Sequence, residues 1–370
     1  MFRIVVITFL VGLLWACSAS LKTGQNAERF NTVEDSLRFW YSQPSAYWPK
    51  PFIDSGIHWR ELGPLPASLI NADSLRHEIE LGRVLFFDPR LSASGQISCA
   101  SCHNPQLSWT DGLAKSVGHE QRINRRNSPS LLNVWSHTSF FWDGRSPSLE
   151  DQAFGPINSE SEMASDMPDV MRKLRKSTAY RALFDSAFHG EGINPETMTR
   201  ALASFQRTLV SQPAAFDRFL AGDIGQLGND ALRGLHIFRT KARCMNCHNG
   251  PLFTDNSFHN TGILQFRTET EDQGRFHATR KEADKGFFKT ASLRDVTYTR
   301  PWMHNGLFDS LEEIVDMYNN GMRAANGVEK PLDPALRPLS LTDQEKKDLI
   351  VFLQAISAPP PAFELPRIPE

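Results

Sequence analysis

Residues 99–103 read Cys-Ala-Ser-Cys-His, and residues 244–248 read Cys-Met-Asn-Cys-His. These two stretches hold four of the five cysteines in the chain. Random placement of five Cys and eleven His among 370 residues predicts roughly 0.002 matches to the pattern, so its repetition needs a chemical cause.

Three chemistries use Cys-x-x-Cys. A redox dithiol belongs in a βαβ setting, whereas the flanking sequence is patterned for helices. A structural zinc site could join all four thiols but does not require a His directly after each second Cys. Covalent haem c does, because the two thiols add to the porphyrin vinyl groups and the adjacent imidazole reaches the iron. This reading assigns Cys99, Cys102 and His103 to one haem and Cys244, Cys247 and His248 to another. Cys17 is left over.

Working outward, helical periodicity dominates. Leu75, Ile79, Gly82, Leu85 and Phe86 follow Ser74 at helical spacing, and Asp88-Pro89 stops the run. Asn194-Pro195 opens a helix with Met198, Leu202, Phe205 and Leu209 on one stripe. Ser310 with Glu313 and Thr342 with Glu345 are capping-box pairs, and Gly321 stops the first of these two helices. Long alternating strand patterns are missing, so the expected class is mostly α, with two cytochrome c-like haem domains. The halves look like a low-similarity duplication, each placing a helix (ELGRVLFF, ALRGLHIFR) shortly before its Cys-x-x-Cys-His. Turn formers between Pro213 and Gly228 suggest the boundary, giving domains over 46–215 and 216–370.

Residues 1–17, MFRIVVITFLVGLLWAC, have the form of an export signal, too short for a confident membrane span. The ending Leu14-Trp15-Ala16-Cys17 resembles a bacterial lipoprotein signal, with Cys17 lipidated after cleavage; plain secretion is the alternative. Residues 18–45 then serve as a tether with helical character in its later part. Either route places the folded body in the periplasm or at an extracytoplasmic membrane face. Forty basic against forty-two acidic residues, without long basic blocks, argue against a nucleic-acid partner.

The stretches LFFDPRLSASGQISCASCH, VGHEQRINRRNSPSLLN, FFWDGRSPSLEDQA, CMNCHNGPLFTD, FKTASLRDV and RPWMHNGLFDSLEEIV together resemble the bacterial di-haem cytochrome c peroxidases. The resemblance extends to their relative from methylamine utilisation and covers nearly all of residues 75–357. It implies that a small one-electron donor such as cytochrome c supplies electrons to reduce hydrogen peroxide to water. One haem would react with peroxide while the other stores an electron.

On the same resemblance, the haem of Cys99 and Cys102 is the peroxide site, with Glu162 as acid/base group and Gln152 as orienting donor. Without it, Glu162 in NSESEM reads as a solvated surface acid. His119 occupies the place of a removable distal ligand to that haem, and Trp142 lies where the family has a tryptophan between the haems. Asn127, Thr299 and Pro301 match an interdomain Ca²⁺ site built from one side chain and two backbone carbonyls. His259 and His304 lie in family-like stretches and could touch haem propionates. The other histidines, His137 among them, read as structural or solvated. Family members are often homodimers.

The sixth ligand of the second haem departs from a simple match, since the peroxidases use Met there and the methylamine-utilisation relative uses Tyr. Taking about 100° per residue from Leu311, Ile314, Val315 and Tyr318 fall at about −60°, 40° and −20°, so Tyr318 is centred on the apolar face. Met317 falls near −120°, off that face, and Met303 in the preceding turn is a third candidate. The function expected is a cytochrome c peroxidase. The alternatives are a related oxidase that spends peroxide on a protein or small-molecule substrate, and a di-haem electron carrier.

Overall fold

The structure, a computed structural model, describes residues 30–263, 272–322 and 332–370. The signal segment, Cys17 and the first part of the tether lie outside the described residues. Helices dominate, and the paired strands among the described residues are Phe258–His259 and Phe288–Lys289, antiparallel, with Phe258 opposite Lys289.

Each half is built on one close helix crossing. The helix Arg76–Phe87 packs on Pro195–Arg207, and Asn229–Arg239 packs on Asp343–Ala355. Both crossings depend on a glycine. A Cβ on Gly82 would stand 1.9 Å from the Ala201 carbonyl oxygen, and one on Gly234 would stand 2.0 Å from that of Asp348. No side chain fits there, so the helices meet backbone to backbone.

The aromatic packing repeats as well. Phe86 meets Phe205 at 5.3 Å and Trp109 at 5.8 Å, while Phe238 meets Phe352 at 5.3 Å and Phe253 at 5.8 Å. Burying each such side chain contributes about 1.5–3 kcal/mol, and the ring contacts add about 0.5–1.5 kcal/mol apiece. Two hydrophobic cores result, one from residues between Leu81 and Leu209, the other mainly from residues between Phe216 and Ile356.

The partner helices start as their residues dictate. Asn194 and Thr342 each accept from the N–H three residues on, and Thr197 and Glu345 return the bond, so both capping boxes are complete. Ser310 accepts from the Glu313 N–H at 3.1 Å to open Leu311–Asn319. At the first helix Leu75 occupies the cap position with no side-chain bond, because the Ser74 hydroxyl turns back to the Asn71 carbonyl.

The first and last described segments depart from the sequence expectation by crossing over. Thr32 caps the helix Val33–Tyr41, and Leu37 and Tyr41 are buried in the second core, joined by Trp48 and Leu62. Arg239 locks this segment through an ion pair with Glu61 and a 2.6 Å bond to the Pro49 carbonyl. The helix Val33–Tyr41 is thus a packed element rather than part of a tether, and Trp48 and Leu62 belong with the second core rather than the first. At the other end Phe363 stacks on Phe87 at 5.4 Å and meets Trp109 at 5.0 Å, inside the first core.

Candidate haem sites and the shared cavity

Both motifs fold into a single turn for the same local reason. The His103 N–H donates to the Cys99 carbonyl at 3.0 Å, and the His248 N–H donates to that of Cys244 at 2.8 Å. At helical spacing the two thiols and the imidazole then fall within an arc of about 100°.

The imidazoles are fixed in matching ways. His103 Nδ1 lies 3.0 Å from the Trp109 carbonyl oxygen, and His248 Nδ1 lies 3.0 Å from that of Phe253. A carbonyl only accepts, so each Nδ1 carries the proton and each Nε2 keeps its lone pair for a metal. Trp109 and Phe253 both have left-handed backbones, φ 62° and 52°, which turn these carbonyls back toward the motif. Burial pulls both histidines below the ordinary range, and so holds them neutral.

The thiols are free and mostly buried, which pushes Cys99 and Cys244 up to about 12 and Cys102 to about 11. A zinc site joining the four thiols would need them to converge, and among the described residues they do not. Among the described residues the one cluster dense enough for a metal is Cys247, Asp255 and His259.

A single cavity of about 1050 Å³ connects the motifs, lined by Cys102 and His103 from one half and Cys244, Cys247 and His248 from the other. Gln152, Glu162, Trp142, Asn127, Thr299, Pro301, Met303 and Tyr318 also line it, whereas His119 and Met317 do not. Glu162 lies close enough to Cys99 and Cys102 for its charge to raise both thiols, and its own carboxyl is held above the ordinary range, chiefly by burial. Burial pushes the Tyr318 phenol up, and Cys247 and Cys244 lie close enough for their charges to raise it further.

His119 is tied to this region through backbone only. Its N–H donates to the Glu162 carbonyl at 2.8 Å, while its ring meets the Glu120 carboxylate at 3.8 Å. Trp142 Nε1 donates to the Asn127 carbonyl at 2.9 Å, and Asn127 Nδ2 donates to the Leu113 carbonyl at 2.9 Å, so Asn127 Oδ1 points away from that bond as an acceptor.

His259 differs from its expected role. Burial opposes its charge, yet Asp255 at 2.8 Å and Asp333 at 2.5 Å hold both ring nitrogens and raise it to about 12. Neither nitrogen is left for a propionate. His304 stacks on Phe288 at 3.6 Å and is pulled down to about 4 by burial. His137, read as structural or solvated, instead lines the cavity, where burial and the Lys289 charge lower it to about 3. Lys289, not singled out in the sequence, lines the same wall.

Two covalent attachment turns, two oriented imidazoles and one cavity fit a protein carrying two c-type haems. The family model of di-haem cytochrome c peroxidase matches residues 76–225. The methylamine utilization protein MauG of Methylorubrum extorquens is 40% identical over 321 residues, covering 84% of this chain and 89% of that protein. Cytochrome c551 peroxidase of Nitrosomonas europaea is 34% identical over 295 residues, covering 78% and 83%. Among solved structures, a MauG-like protein associated with microbial copper homeostasis superposes with a TM-score of 0.70 at 28% identity, covering 85% of this chain and 94% of that one. The chain belongs to the di-haem cytochrome c peroxidase family, whose members are peroxide-dependent oxidoreductases. Membership implies two haem c groups.

Proposed function

We propose that this chain reduces hydrogen peroxide to water at the Cys99–Cys102–His103 site, with electrons from a small one-electron donor such as cytochrome c. The observation that carries this reading is Glu162, a half-buried carboxyl beside both thiols of that motif and in the same cavity as His103. A haem bound there would supply the iron that accepts peroxide and a route for its electrons.

The protein's part is proton management. The Glu162 carboxylate takes the proton from the inner peroxide oxygen and returns it to the outer one, so that the outer oxygen departs as water rather than hydroxide. Gln152, its amide facing the same cavity, donates a hydrogen bond that orients the peroxide. With two electrons and two further protons the products are two waters. Steady-state turnover with peroxide and reduced cytochrome c tests this, and a protein that consumes no peroxide in any redox state would refute it.

A second reading, a peroxide-driven oxidase acting on a protein or small molecule, is favoured by Tyr318. Its side chain faces the cavity beside Cys244 and Cys247, makes no hydrogen bond among the described residues, and Met317 is absent from the lining. A phenolate ligand favours oxidised iron and suits two sites that share oxidising equivalents. Peroxide reacting with the fully oxidised protein, and consumed only when an oxidisable substrate is added, would select this reading.

The Asn127 side-chain oxygen and the Thr299 and Pro301 carbonyls form the donor set we assign to Ca²⁺, a hard-oxygen set suited to that ion. Export with lipidation at Cys17 completes the proposal, and labelling with a radioactive fatty acid, lost in Cys17→Ala, tests it.

A further inference from the structure

Lysines and arginines that are buried in this chain are paired with carboxylates, with one exception among the described residues. Arg239 pairs with Glu61, and Arg294 pairs with Asp217 at 2.7 Å. Lys289 is 8% exposed and has no carboxylate within ion-pair distance. Its ammonium donates to the Ser139 carbonyl at 2.7 Å and lies 5.9 Å from the Phe140 ring. An ammonium has three donors, so two remain unused.

Among the described residues no counter-charge stands within ion-pair distance. His137, the nearby titratable group, is basic, and two acids that line the same cavity, Asp143 and Asp272, are already engaged. Asp143 is held by Arg126 at 2.7 Å and Arg145 at 3.0 Å, and Asp272 by Arg126 at 2.6 Å. Burial alone acts on Lys289 and pulls it down to about 7. Leaving a cation this deep without an anion costs several kcal/mol, or forces it neutral.

Lys289 nevertheless lines the cavity, and the ladder that holds Phe288–Lys289 against Phe258–His259 fixes its place. Its backbone N–H also donates to the Trp142 carbonyl at 2.8 Å. We infer that Lys289 is the anchor for a carboxylate that enters the cavity, the propionate of one of the two porphyrins, and that it is thereby a positioning residue that seats that porphyrin beside Trp142. The inference rests on haem occupancy of the cavity and holds under either functional reading above.

A cation beside a propionate cancels negative charge that would otherwise favour ferric iron, so it favours the ferrous state and its removal favours oxidation. In the holoprotein, spectroelectrochemical titration of K289M is expected to lower the midpoint of one haem by a tenfold change in its one-electron equilibrium, about 59 mV, and to leave the other unchanged. K289R, which keeps the charge, should restore it. Unchanged midpoints in a K289M protein with both haems attached would overturn the assignment, as would a loss that K289R shares. A wild-type midpoint that moves with added chloride or acetate would place an exchangeable anion in the recess instead, and would also overturn it. Where K289M does not mature, the propionate bending band in resonance Raman spectra of K289R and K289Q decides: a band that stays at its wild-type position in both removes the anchor.

Discussion

The two halves share almost every feature that holds a haem and differ in what faces it. Gly82 and Gly234 close equivalent helix crossings, and the Trp109 and Phe253 carbonyls orient equivalent imidazoles at the same 3.0 Å. Near the thiols of the first motif stands Glu162, and near those of the second Tyr318. A carboxyl moves protons, whereas a phenol can bind iron.

The largest expected effects come from breaking the shared parts. Gly82→Val or Gly234→Val would drive side-chain atoms into a backbone carbonyl that cannot move aside, an overpacking cost of about 3 kcal/mol or more. Each should abolish recovery of two-haem protein, as read by haem staining and pyridine haemochrome content. Equal damage from the two variants would confirm that the crossings are equivalent, and a tolerated Gly234→Val would break the analogy.

Next come the facing groups. Glu162→Gln should lower peroxide turnover about 10²-fold or more while both haems stay attached. Tyr318→Phe should change the EPR and optical spectra of the second site and leave peroxide binding at the first within a few-fold. If both variants gave the same spectral change, the division of labour would be wrong.

The pH profile sharpens the same contrast. Burial holds the Glu162 carboxyl above its ordinary 4.5, so the acidic limb of turnover should lie above that value and vanish in Glu162→Gln. For stability the sign is opposite. The folded state keeps this proton longer than the unfolded chain, so its contribution is full below the ordinary carboxyl value and is lost as pH rises through the folded one.

The smallest effect concerns the matched caps. Asn194→Ala and Thr342→Ala should each cost about 1 kcal/mol in denaturant titrations, because each removes one side of a complete capping box. Unequal costs would show that one half is more tolerant of fraying than the other.

Much of this was legible in the sequence because it is local. The attachment turns, the caps at Asn194 and Thr342 and the orientation of Tyr318 all depend on residues within a few positions of one another. Helical periodicity alone set Tyr318 on the apolar face and Met317 off it, which agrees with their placement relative to the cavity. The tether was misread at its end because Leu37 and Tyr41 gain meaning only from a core built some 180 residues later. His259 was misread for a similar reason, since one of its two carboxylate partners, Asp333, is remote in sequence.

By itself, then, the sequence pointed to two haems and to the two turns that would carry them, and determined that the body is helical, since these follow from short-range spacing and backbone geometry. Only the tertiary structure decided that both motifs open into one cavity, that Leu37 and Tyr41 pack in the second core while Phe363 packs against the first, and that Lys289 lies buried with no anion among the described residues. Those depend on which distant surfaces meet, and burial and electrostatic pairing are properties of that meeting rather than of any single segment.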